Sequence, residues 1–216
     1  MHTLYFIPGL GADERLFSKL NLDGYKKKFI KWVVPRAGAS LHDYAKQLSV
    51  QIDESKPFSL IGVSFGGMLA VEMSKFLKPR KVFLIASAKT YRELPASINF
   101  FRYFPLYDFL PDSMLHSAAM INKRQFGLKN NEEEKLFSTM LLSCPKGYLQ
   151  SSMRMILEWR NTSYPENLIH IHGSNDRLFP VYKIKNPVVV PGGTHFMPYH
   201  KHQEVEKIIL KNLSGK

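Results

Sequence analysis

The chain has 216 residues, 44% of them apolar, one cysteine (Cys144) and a formal net charge of +12. That size suits one domain with a small insertion, the apolar content excludes wholesale disorder, and a lone cysteine excludes an intrachain disulfide. No apolar run reaches 18 residues, so no transmembrane helix is expected, and the lysines are scattered outside any nucleic-acid motif.

The N-terminal run "HTLYFIP" (2–8) breaks at Pro8-Gly9 and has no charged segment before it. It reads as a first strand and not as a signal peptide. A Gly-rich loop, "GLGADERLF", follows, then a second strand candidate, "KFIKWVVP" (28–35). In "SLHDYAKQLSVQID", Ser40 is a cap, and Leu41, Tyr44, Ala45, Leu48 and Ile52 form one stripe of a helix. "FSLIGVS" (58–64) reads as a strand running into the helix "GGMLAVEMSKFL", and "KVFLIASA" (81–88) as another strand. Residues 91–165 hold no convincing strand and read as helices, with an aromatic-rich start, "INFFRYFPLYDFLP". "NLIHIHG" (167–173) and "NPVVVPG" (186–192) return to strand character, and "QEVEKIILKNL" closes the chain as a helix.

Short, branched, apolar strands alternating with helices predict an α/β fold. The expectation is a mostly parallel, doubly wound sheet of about six strands flanked by helices. Residues 1–90 and 166–216 form its core, and 91–165 an inserted helical cap, in a single structural unit.

The chemistry starts at "GVSFGG". A serine between two glycines, after a strand and before a helix, fits a sharp turn that lifts Ser64 above the strand ends. Such a turn is strained, and side chains two residues before and after its tip would clash, which glycines 62 and 66 avoid. A phosphate cradle is the competing reading, but no Lys follows the glycines. A serine hydroxyl needs a base. His195, in "VVVPGGTHFMP", lies in a loop after the last strand, on the sheet edge where Ser64 emerges; His200 and His202 are the weaker candidates. The base needs an orienting acid. Asp176, in "HIHGSNDRLFP", lies past the preceding strand on that same edge, with Glu93 as the alternative. Oxyanion donors would be the backbone N–H groups of Phe65, after the serine, and Leu10, between Gly9 and Gly11. A zinc site remains a separate reading: His170 and His172 share a strand face, and His200-x-His202 is a second pair, but neither has a clear set of further ligands.

Four pieces, "PGLG", "GVSFGG", "GSNDRLFP" and "GGTHF", resemble the α/β-hydrolase family, with Ser64, Asp176 and His195 in that family's chain order. The resemblance covers nearly the whole chain. It implies Ser64 as nucleophile, His195 as base, Asp176 as acid, and Leu10 and Phe65 as oxyanion donors. Two departures stand out. Pro8 occupies the place where many members carry a His, and the chain starts at what looks like the third strand of the usual eight, which would leave 28–35 as an exposed edge. Lys28 and Lys31 would discourage pairing there, or the edge would pair in a homodimer.

The expected activity is hydrolysis of a small, largely apolar carboxylic ester through an acyl-enzyme. The same residues would serve a thioesterase, a lactonase, an amidase or a C–C bond hydrolase, and a hydrolase fold can also be a non-catalytic binding module. Cap aromatics Phe100, Phe101, Tyr103, Phe104, Tyr107 and Phe109, with Met197, are candidate pocket residues. No cofactor or metal is expected. The partner is a small acyl substrate, not nucleic acid; the positive charge leaves an acidic carrier protein as a weaker expectation. The expected location is the cytoplasm.

Overall fold

A computed structural model describes residues 2–95, 98 and 112–214. Six strands form one sheet: β1 (Thr3–Ile7), β2 (Lys26–Phe29), β3 (Phe58–Val63), β4 (Val82–Ile85), β5 (Leu168–Gly173) and β6 (Val188–Val190). Their order is β2-β1-β3-β4-β5-β6, and every pairing is parallel. The expected α/β architecture is therefore present. Every residue of β1, β3 and β4 is buried, because helices cover both faces of a parallel sheet.

Flanking the sheet are α1 (Leu41–Ser49), α2 (Phe65–Met73), α7 (Met197–His200) and α8 (His202–Leu213). The first begins as Ser40 predicted, in a capping box: the Ser40 side chain accepts from the Asp43 amide, and Asp43 accepts from the Ser40 amide. All nine residues of α2 are buried, Glu72 included. Between β4 and β5 lie α3 (Asp112–Ile121), α4 (Lys123–Phe126), α5 (Asn131–Leu142) and α6 (Tyr148–Glu158), with no strand among the described residues of that stretch.

The second strand differs from its sequence reading of 28–35. Residue pairing runs from Thr3 with Lys26 to Phe6 with Phe29, and the last bond across is Ile30 N–H to the Phe6 carbonyl at 2.9 Å. Beyond that point β1 ends at Ile7 before Pro8, which has no N–H to offer. Side chains of α1 and of the turn just past it take over the backbone instead. Gln51 bonds the Lys31 amide and carbonyl at 2.9 and 3.0 Å. Tyr44 donates to the Val33 carbonyl at 2.8 Å and Gln47 to the Val34 carbonyl at 2.9 Å. The apolar run is thus loop packed on a helix, and the edge strand is the lysine-bearing "KKKF", with Lys26 and Lys27 exposed. Lys31 lies outside the strand and pairs with Glu14 at 2.5 Å.

The helical insertion is tied to the core by polar contacts. Trp159, just past α6, donates its indole N–H to Glu72 of α2 at 2.8 Å. Lys75 reaches the same carboxylate oxygen at 2.7 Å, and His42 of α1 the other at 3.0 Å. A carboxylate that is 2% exposed needs such partners, because an unpaired buried charge is costly. Arg15 forks onto Asp13 and extends to the Thr139 carbonyl and the Ser143 hydroxyl, at 3.3 and 3.0 Å.

Trp159→Phe keeps the packing and removes one donor to a buried carboxylate. It is expected to lower unfolding stability by about 1–3 kcal/mol, read from urea denaturation with an unchanged m-value; an unshifted midpoint would show that Glu72 does not need this partner.

Candidate active site

One residue separates β3 from α2, and it is Ser64. Its backbone sits at φ 51°, ψ −120°, a region L-residues avoid, at a cost of order 1–3 kcal/mol. The glycines around it are required by contact. A Cβ on Gly62 would lie 2.6 Å from the carbonyl carbon of Gly66. A Cβ on Gly66 would strike the Ile7 and Pro8 carbonyls at the end of β1. The turn is therefore squeezed between its own helix and the neighbouring strand, and the serine is pushed out at the rim.

His195 follows β6 and lies 131 residues from Ser64 in the chain, yet its Nε2 is 2.9 Å from the Ser64 Oγ. Its Nδ1 is 2.8 Å from Oδ2 of Asp176, in the loop after β5. A carboxylate only accepts, so Nδ1 carries the proton and the Nε2 lone pair faces the serine hydroxyl. The Asp176 side chain is fully buried, and its other oxygen accepts from the amides of Leu178 and Phe179 at 3.0 and 2.8 Å. Burial alone would raise its pKa. The attraction and hydrogen bond of His195, with the Phe179 amide, outweigh burial and leave the carboxyl below its ordinary value, so it stays ionised.

Phe179 also stacks on the imidazole, with centroids 5.5 Å apart and planes 11° apart. Phe126 of α4 meets the same ring edge-on at 6.0 Å. Behind the acid, His172 bonds the Phe179 carbonyl at 2.7 Å, with its Nε2 3.7 Å from Oδ2 of Asp176. A carbonyl also only accepts, so His172 is protonated on Nε2.

The loop after β1 passes beside the serine: a Cβ on Gly9 would stand 3.3 Å from that of Ser64. Neither the Leu10 nor the Phe65 amide has a hydrogen-bond acceptor among the described residues. Both flank the serine, one in the loop and one at the first turn of α2. The Phe65 ring itself is core, packed on Trp32 and Tyr44 at 5.9 and 6.4 Å. Gly11, at φ 74°, is overlain by Leu141 and Leu149 of the insertion. On the far side, Thr194 donates to the Gly127 carbonyl at 3.0 Å. The insertion therefore roofs the loop after β1 with apolar side chains and sets Phe126 against the histidine.

The other sequence candidates fall elsewhere. Glu93 is buried in an ion pair with Lys89 at 3.3 Å and accepts from the Lys185 amide at 3.0 Å. Nδ1 of His200 lies 3.8 Å from Glu133, and that of His202 3.3 Å from Glu206. His170 and His172 are neighbours at 5.3 Å between ring centroids, each bonded to a carbonyl, and no group of three or more His, Cys, Asp or Glu side chains among the described residues is placed to hold a metal. Met197 is fully buried, and its sulfur lies where a Cβ on Gly193 would come within 3.0 Å; this is a packing position beneath the histidine loop, not a pocket wall. Phe100, Phe101, Tyr103, Phe104, Tyr107 and Phe109 lie outside the described residues. Sequence reasoning missed Phe126, Leu141, Leu149 and Phe179. Only Phe179 carried a signal, three residues after the acid within "GSNDRLFP".

The sequence pattern described as "Alpha/beta hydrolase family" matches residues 5–208. No curated protein matches the chain. Among solved structures it is similar to a thermophilic esterase from Thermogutta terrifontis, at a TM-score of 0.75 and 16% identity, over 99% of this chain and 90% of that one. It is similar to an esterase from Exiguobacterium antarcticum at 0.70 and 13%, over 100% and 92%. A lipase-esterase related protein from Clostridium acetobutylicum gives 0.70 and 18%, over 97% and 93%. At these identities the likeness is one of fold. No helix among the described residues is long and apolar enough to cross a membrane.

Two outcomes are expected. Gly66→Ala should destabilise the fold by at least about 2 kcal/mol, because its Cβ meets backbone that has nowhere to move; a denaturation midpoint equal to wild type would contradict the crossing. Acid should also weaken the fold well before carboxylates protonate. Burial lowers the pKa of His170, of His172 and, to about 4, of His200. The unfolded chain takes up these protons below about pH 6.5 while the folded chain excludes them. Stability is then full above that pH and falls as pH drops, with Asp176 adding a further loss below about pH 4. Glu133, raised by burial, opposes this, but it is one group against these three and His2, which burial also lowers. The melting temperature should fall by several degrees between pH 7.5 and 5, and a flat curve would count against neutral buried histidines.

Proposed function

The chain belongs to the alpha/beta hydrolase family, and we propose that it is a serine hydrolase acting on a small, largely apolar carboxylic ester through Ser64, His195 and Asp176. The observation that carries this reading is the Ser64–His195–Asp176 relay, with successive separations of 2.9 and 2.8 Å.

The Ser64 hydroxyl attacks the acyl carbon as its proton passes to Nε2 of His195. Asp176, held ionised, keeps Nδ1 protonated and stabilises the imidazolium that forms. The carbonyl oxygen gains charge as the tetrahedral centre develops, and the free amides of Leu10 and Phe65 receive it. His195 returns the proton to the departing alkoxide, leaving Ser64 acylated. Water, deprotonated by the same nitrogen, attacks the acyl-enzyme and regenerates the serine. The apolar roof supports a small hydrocarbon acyl group: Leu141 and Leu149 over Gly11 and Phe126 against His195 offer little to a charged one.

Chromogenic esters and thioesters of graded acyl length should be run against wild type and Ser64→Ala. Short apolar esters are expected to turn over, with Ser64→Ala slower by at least about 10⁴-fold. Turnover that survives in Ser64→Ala would remove the nucleophile from this assignment. Preference for thioesters would move the leaving group from oxygen to sulfur and keep the residues.

A further inference from the structure

"GVSFGG" contains one glycine more than the elbow needs. Gly62 and Gly66 are accounted for by the backbone crossing, and Gly67 is not. A Cβ on Gly67 would lie 2.6 Å from the Ser87 Cβ and closer still to its Oγ. Gly67 is thus the clearance for one side chain, Ser87, which is fully buried.

Ser87 follows β4 across a second unusual residue. Ala86 has φ 48°, left-handed and rare for a residue with a Cβ. The strand ends there, its last residue, Ile85, paired with Val63 just before the elbow, so that the segment 85–87 runs alongside Ser64. The Ile85 carbonyl accepts the Ser64 N–H at 3.0 Å. The Ser87 Oγ–H donates to the Ser64 carbonyl at 2.6 Å. Both main-chain polar groups of the strained serine are therefore gripped by one three-residue segment. The grip has its own brace: His170 of β5 donates Nε2–H to the Ser87 carbonyl at 3.0 Å, and burial holds that ring neutral, with one proton to place.

We propose that Ser87 is a positioning residue for Ser64: its hydroxyl holds the Ser64 peptide in the strained conformation that aims Oγ at His195. It touches neither substrate nor reacting atoms. The proposal rests on the reading of Ser64 as the nucleophile. Three of the four hydrogen bonds to the Ser64 carbonyl and amide, those of Ile85, Gly67 and Met68, remain when Ser87 is truncated, so the turn still forms but is less tightly aimed.

The test compares wild type, Ser87→Ala and Ser87→Cys, measuring the second-order rate of labelling by a fluorophosphonate, ester kcat and KM, and the melting temperature. All rates are taken well below the melting temperature of each variant. Ser87→Ala should lower both the labelling rate and kcat about tenfold, as loss of one well-made hydrogen bond would, with KM within twofold of wild type. Ser87→Cys, which keeps a weak donor, should fall between them. A merely structural serine would lower the melting temperature and leave labelling and kcat unchanged. Labelling of folded Ser87→Ala within twofold of wild type overturns the proposal; if that variant does not fold, Ser87→Cys decides by the same limit. Wild type that is not labelled at Ser64 overturns the nucleophile assignment itself, which is a separate failure.

Discussion

The fold turns on a backbone that must pass where there is almost no room for it. Ser64 sits between a strand and a helix with no spare residue, in a conformation that side chains resist. Its strain persists because its surroundings over-determine it. The glycines at 62 and 66 let the helix, the turn and the end of β1 share one small volume. The parallel sheet then brings the loops after β1, β3, β5 and β6 to the same rim. Residues far apart in the chain meet there because of the sheet's direction, not because of any local sequence preference.

The polar groups beneath that rim form a connected layer. Asp176 is buried and charged, which is tolerable only because His195 and two amides surround it. Phe179 belongs to both halves of the pair, its amide on the acid and its ring on the imidazole. His172 then fixes the Phe179 carbonyl, and His170 fixes that of Ser87. The alternating histidines of "HIHG" thus serve as donors to main chain. That use explains why they attract attention as a metal pair in the sequence and yet stand bonded to carbonyls in the fold.

Much of this was legible beforehand, and the reasons differ by element. Ser64 was readable because steric crowding leaves a local signature, glycines at fixed offsets in strand–turn–helix context. His195 and Asp176 were readable once the strands were read as parallel, since a parallel sheet sends the loops after its strands to one edge. The boundary of β2 was not readable. "KFIKWVVP" has strand composition, but its length is set by a partner strand that stops at Ile7, and its backbone is bonded by Tyr44 and Gln47 of a helix and by Gln51 just past it. Met197 looked available beside His195, but the short helix α7 turns it into the interior. The roof was illegible for a similar reason: Leu141 and Leu149 reach Gly11 only through tertiary packing of helices whose placement no local pattern encodes.

The link between Trp159 and Glu72 makes the roof and the floor one mechanical object. Excising 112–158 to obtain a smaller scaffold would strip the leucines from the loop after β1 and displace the partner of a carboxylate in the helix that Ser64 opens. Anyone wishing to reshape the space beside Ser64 in this chain would do better to repaint the underside of the roof than to exchange it whole.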